Sequence, residues 1–111
     1  MIRINNIDFK LDLNNPNVLD NLKIAIEVCN RFIDDTNSRN LADEDKIIRK
    51  ETVFFVTLDN VLGKGAADKI FDGVINPERC LDVMKQFNRE INKQISNLKG
   101  IVIRFPIERR M

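Results

Sequence analysis

The residues with the best claim to chemistry lie in "VLGKGAADKIFDG", residues 61–73, where Lys64 sits between Gly63 and Gly65. A lysine among glycines is the composition of a phosphate cradle, in which backbone N–H groups and an ammonium surround the anion. The chemistry needs more than composition. A Walker loop reads G-x-x-x-x-G-K-[ST] after a buried strand. Here Ala66 follows without a hydroxyl for a metal, and the preceding segment has a helical period. A dinucleotide fingerprint needs a third glycine and a βαβ context, and both are missing. A plainer reading accounts for every residue. Gly63 ends one helix in the left-handed C′ conformation, and Gly65 begins a short second one. Ile70 and Phe71 then anchor that second helix to the core.

Other chemistry is excluded on similar grounds. The chain has no histidine, so the commonest general base is absent. Cys29 and Cys80 lie 51 positions apart with no C-x-x-C and no base partner. Neither nucleophilic catalysis nor a zinc site follows. Each falls on the apolar side of a predicted helix, as small buried hydrophobes do. The acids Asp34-Asp35 and Asp43-Glu44-Asp45 sit at helix ends and lack the alternating pattern of a calcium loop. With no Tyr or Trp, and seven Phe mostly on core-facing stripes, there is no surface for stacking bases. No catalytic, cofactor-binding or metal-ligating residue emerges. The expectation is a protein that is not an enzyme and takes no cofactor.

Charge and hydropathy bound the partners. The chain has 18 basic and 17 acidic residues, so its net charge of +1 gives no overall pull toward nucleic acid or anionic membrane. Residues 76–111 carry eight basic and four acidic residues, or +4, leaving −3 on the first 75. A solvated helix face and a basic end account for that asymmetry. No apolar run approaches the roughly 20 residues that cross a bilayer. The N-terminus lacks the uninterrupted apolar core of a signal peptide. The expected location is the cytoplasm.

The elements that must position these residues follow from periodicity. At 111 residues, 1–111 reads as a single domain. "MIRINNIDFKLDL" alternates apolar and polar residues around Asn5-Asn6, which predicts a β-hairpin. Asn15 caps a helix that has Pro16 in its first turn and a stripe of Leu19, Leu22, Ile26, Cys29 and Ile33. "TNSRN" reads as a turn, with Asn40 capping a second helix over residues 42–62. On that helix Ile47, Glu51, Phe54, Leu58 and Val61 share one line, beside Ile48, Phe55 and Leu62. "TVFFVTL" has strand-like composition, but the helical period runs through it unbroken. A short helix spans "AADKIFDG". The last helix has Asn76 as its cap, Pro77 first, and a stop at Gly100. The predicted class is α+β, mainly α: a hairpin, three long helices and one short one. The predicted core includes Leu22, Ile26, Phe32, Phe54, Leu58, Phe71, Met84 and Ile91.

The tail "IVIRFPIERRM" leaves two readings open. Ile101, Val102, Ile103 and Phe105 are too apolar for an idle end. They form either a short C-terminal strand that completes the core or a contact element for a neighbouring subunit or partner.

Three stretches together resemble the small tail assembly chaperones of long-tailed phages and prophages of Gram-positive bacteria. They are "MIRINNIDFKLDLNNPNVLDNLKIAIEVC", "FFVTLDNVLGKGAADKIFDG" and "CLDVMKQFNREINKQI". The likeness is one of layout: a hairpin running into a long helix, an apolar helix with G-x-G and a closing Ile-Phe and glycine, then another helix. It implies a protein that binds the helical tape measure protein, aids tail tube assembly with the tube protein, and self-associates. Two other classes share this composition. One is a small structural component of a virion, and the other is a small nucleic-acid-binding regulator using the basic last helix.

Overall fold

Asn5 and Asn6 both take positive φ, 50° and 65°. They form the two-residue turn whose twist suits a hairpin. Around it β1 (Ile2–Ile4) pairs antiparallel with β2 (Ile7–Phe9), Ile2 opposite Phe9 and Ile4 opposite Ile7. Ile2, Ile4 and Phe9 are buried, as are Leu11 and Leu13 beyond the pairing. Four helices follow: α1 (Pro16–Ser38), α2 (Asp43–Leu62), α3 (Ala66–Phe71) and α4 (Pro77–Ile95). This computed structural model describes residues 1–95. The fold is α+β and mainly α. The expected stop at Gly100 and the expected C-terminal strand lie outside the described residues.

A two-stranded hairpin is marginal alone and leaves its edge groups unpaired. Helix α4 supplies both cover and partners. The N–H groups of Arg3 and Asn5 donate to Glu90 Oε1 at 2.7 Å and Gln86 Oε1 at 2.8 Å. Gln86 Nε2 returns a bond to Asn5 Oδ1 at 2.7 Å. Gln94 accepts from Leu13 N–H at 3.0 Å and donates to the Leu11 carbonyl at 2.7 Å. Gln86, Glu90 and Gln94 recur every four residues and so form one line on α4. The adjacent apolar stripe, Cys80, Val83, Met84, Phe87, Ile91 and Ile95, enters the core.

Asn15 caps α1 through its side chain, as the sequence indicates. Helix α1 continues through Ser38, so "TNSR" is mostly helix and the predicted turn is shorter. Thr36 is fully buried and accepts from Arg49 Nε at 3.4 Å. Lys46 and Lys50 of α2 donate to the Asn37 carbonyl and side-chain oxygen, at 3.2 and 2.9 Å. Cations on the last-turn carbonyls favour the longer helix. Asn40 does not cap α2. Ala42 holds that position with no side-chain bond, and Asp43, Glu44 and Asp45 fill the first turn.

The strand-like "TVFFVTL" is helical. Thr52 and Thr57 return their hydroxyls to the carbonyls of Ile48 and Val53, both at 2.7 Å, which satisfies them within the helix. Phe54 meets Phe71 edge-on at 6.3 Å, and Phe55 stacks on Phe71 at the same separation. Of the predicted core only Phe32 is merely half-buried, and the Arg49 guanidinium lies 4.9 Å above its ring. Ile47 and Ile48 begin the predicted α2 stripe yet stay exposed.

Candidate protein-binding surface

The G-K-G turn works as a joint between helices. Gly63 has positive φ, 109°, but its ψ of 153° lies outside the left-handed helical region; Gly65 takes that conformation instead, at φ 87° and ψ −3°. Asp59 Oδ1 accepts the Ala67 N–H at 2.9 Å, and the Gly63 carbonyl accepts Ala66 N–H at 3.0 Å. The Gly63, Ala66 and Ala67 amides are thus already bonded, and the Asp59 carboxylate sits beside the turn. Lys64 is exposed. Both cysteines are free and buried. Burial raises the Cys29 thiol pKa, partly offset by a hydrogen bond with Thr57. Among the described residues, no group of three or more Cys, Asp and Glu is placed to hold a metal. No helix among them is long and apolar enough to cross a membrane.

What the core leaves out is more informative. On α1, Ile24 and Val28 are 61% and 56% exposed; on α2, Ile48 and Val56 are 58% and 49% exposed. Each pair is spaced at a helical interval, so each helix carries apolar residues on its outer face. Beyond α3, Val74 and Ile75 are also exposed. Ile75 faces α2 across an open groove of about 370 Å³, lined also by Ile48, Glu51, Thr52 and Phe55.

Glu51 gives this groove its character. Its Oε2 is buried and has no hydrogen-bond partner. Burial raises the pKa of its carboxyl. The Cys80 thiol is pushed up to about 12, first by burial and then by repulsion from Glu51. The sequence carried the signal: Glu51 is the lone acid on the line Ile47, Phe54, Leu58 and Val61. Ile75 had no such signal, because only the α3–α4 connection brings it opposite α2. A second cleft, of about 540 Å³ between the hairpin turn and α3–α4, is polar. Three of its lining side chains are engaged: Asn5 Nδ2 donates to the Ile70 carbonyl, Arg79 to the Val74 carbonyl, and Asp82 accepts from Gln86. The predicted contact residues Ile101, Val102, Ile103 and Phe105 lie outside the described residues.

Residues 5–110 match the family of unknown function DUF6673. The chain belongs to this family. The match takes in the hairpin turn, all four helices and most of the tail, so this DUF6673 fold and its exposed groove fall within one family unit. No curated protein and no solved structure matches the chain.

Proposed function

We propose that this protein is a non-enzymatic assembly chaperone of the phage tail type, working in the host cytoplasm. In this reading it binds the helical tape measure protein, holds it soluble, self-associates, and helps tube subunits assemble. The observation that supports it is the set of exposed apolar residues at helical spacing: Ile24 and Val28 on α1, and Ile48 and Val56 on α2. The hairpin edge is sealed by α4, so those side chains are the sticky surface of a finished domain rather than loose core. Apolar residues beside a groove suit an amphipathic helix laid along it.

The test is co-expression with overlapping helical fragments of a tape measure protein from the same phage or prophage. At least one fragment is expected to co-elute with the protein and to stay soluble only in its presence. A protein that ignores every fragment, or that appears stoichiometrically in finished particles, defeats the reading.

A further inference from the structure

The outer face of α1 carries a charge pattern that is complementary to its own reversal. Leu22, Ile26, Cys29 and Ile33 enter the core, while Asp20, Lys23, Ile24, Glu27, Val28 and Arg31 are exposed. At 3.6 residues per turn, Asp20, Ile24, Val28 and Arg31 fall within about 80° of arc. Ile24 and Val28 make a short apolar seam there, and Lys23 and Glu27 flank it on the Asp20 side. Along that flank the charges alternate in sign: Asp20, Lys23, Glu27, Arg31. Turned end for end, the order becomes Arg31, Glu27, Lys23, Asp20, and every charge meets its opposite. The midpoints of Asp20 and Arg31, of Lys23 and Glu27, and of Ile24 and Val28 all fall within residues 25–26. One two-fold axis therefore serves all three pairs. A two-fold that reverses a helix keeps each flank on its own side, so the charged pairs meet without crossing the seam.

We propose that the outer face of α1 is a homodimer surface, packed antiparallel on α1 of a second copy of this chain. Ile24 of each copy lies against Val28 of the other, Asp20 pairs with Arg31 across the axis, and Lys23 pairs with Glu27. Arg31 already meets Glu27 within its own helix. A guanidinium has five N–H donors and can hold both carboxylates. Charge decides the occupant and its orientation together. A parallel pair would set Asp20 on Asp20, Glu27 on Glu27 and Arg31 on Arg31, and like charges in register repel. A foreign helix would need this alternation by coincidence, whereas a second copy has it by symmetry. Two helices meeting along a two-residue apolar seam make a small interface, so the dimer forms at high concentration and dissociates on dilution. The assignment rests on the self-association proposed for the chaperone, and it leaves Ile48 and Val56 of α2 for the tape measure helix.

The experiment is sedimentation velocity on full-length protein over a concentration series. Asp20→Arg and Arg31→Asp should each weaken dimerisation by roughly tenfold or more, because each sets two like-charged pairs across the axis. An equimolar mixture of the two variants should dimerise again, since every pair across the axis is then opposite in sign. The double variant should do so for the same reason. Ile24→Gln together with Val28→Gln should also weaken dimerisation by roughly tenfold or more. Its melting temperature in dilute solution, where the native chain is monomeric too, should be unchanged; this separates docking from folding. The proposal is overturned if the full-length protein is monomeric at every concentration, if both reversals leave association unchanged, or if mixing gives no recovery. It is also overturned if the glutamine pair abolishes capture of a tape-measure fragment yet spares self-association, since α1 then serves a foreign helix. Charge-swap recovery with no fragment captured would sustain this proposal and end the chaperone reading.

Discussion

Glu51 and Glu90 are two carboxylates that folding treats in opposite ways. Burial raises the pKa of Glu51 with no bond to offset it. Its folded pKa lies above its unfolded one, so the ionised group costs stability at neutral pH, and that cost disappears as pH falls through the raised value. Glu51→Gln should therefore raise the melting temperature at pH 7. The gain should fade as pH falls from the raised value to the ordinary carboxylate range. Glu90 is lowered, first by the hydrogen bond from Lys93 and then by the Arg3 N–H. Its contribution is present above the ordinary carboxylate range and lost as pH falls through the lowered value. Glu90→Ala should cost about 1 kcal/mol at pH 7 and little in acid. Thermal melts across pH check both signs. The two raised thiols predict a further outcome. Iodoacetamide at pH 8 should label neither Cys29 nor Cys80 in the native protein and both in denaturant.

At the scale of elements, legibility tracked how local the determinant is. The hairpin, the Asn15 and Asn76 caps and the helical period through "TVFFVTL" are local, and the structure has them. Asn76 Oδ1 accepts the Arg79 N–H at 2.8 Å, as a capping residue should. Where the reading missed, a distant group decided the outcome. The last turn of α1 is held by Lys46 and Lys50, and the half-buried Phe32 ring meets the Arg49 guanidinium of α2 instead of an apolar neighbour's core face. Leu58 is fully buried on the α2 face that meets the core. Leu58→Ala should cost ~2–5 kcal/mol by denaturant unfolding. Gly63 has open space where a Cβ would go, so its φ of 109° is the whole constraint. Gly63→Val should cost roughly 1–3 kcal/mol through backbone strain alone. The reciprocal Asn5–Gln86 bonds predict non-additivity. A double-mutant cycle to alanine should show coupling on the order of 1 kcal/mol.

At the scale of the molecule, the candidate surface was only half legible. Glu51 stood out on an apolar line, and the tail's apolar run stood out at the other end of the sequence. Nothing in the spacing showed that Ile75 closes a groove over Glu51, because that depends on how α3 and its glycines turn the chain. Nor did periodicity show that Ile24, Val28, Ile48 and Val56 would be left outside. A stripe wider than one neighbour can cover looks the same in sequence whether or not a second neighbour arrives. The exposed pairs imply that Ile48→Asp together with Val56→Asp should leave folding within about 0.5 kcal/mol per site. The same change should abolish capture of a tape-measure fragment by co-elution.

The sealed edge of the hairpin also sets an order of events during translation. Arg3 and Asn5 find their edge partners 87 and 81 residues further along the chain. β1 is made before α4, so these edge amides stay wet until α4 has emerged. A nascent chain stalled before Pro77 should show no protection of the Arg3 and Asn5 amides. One stalled after α4 has cleared the exit tunnel should protect both, so that the hairpin and α4 become stable in a single step.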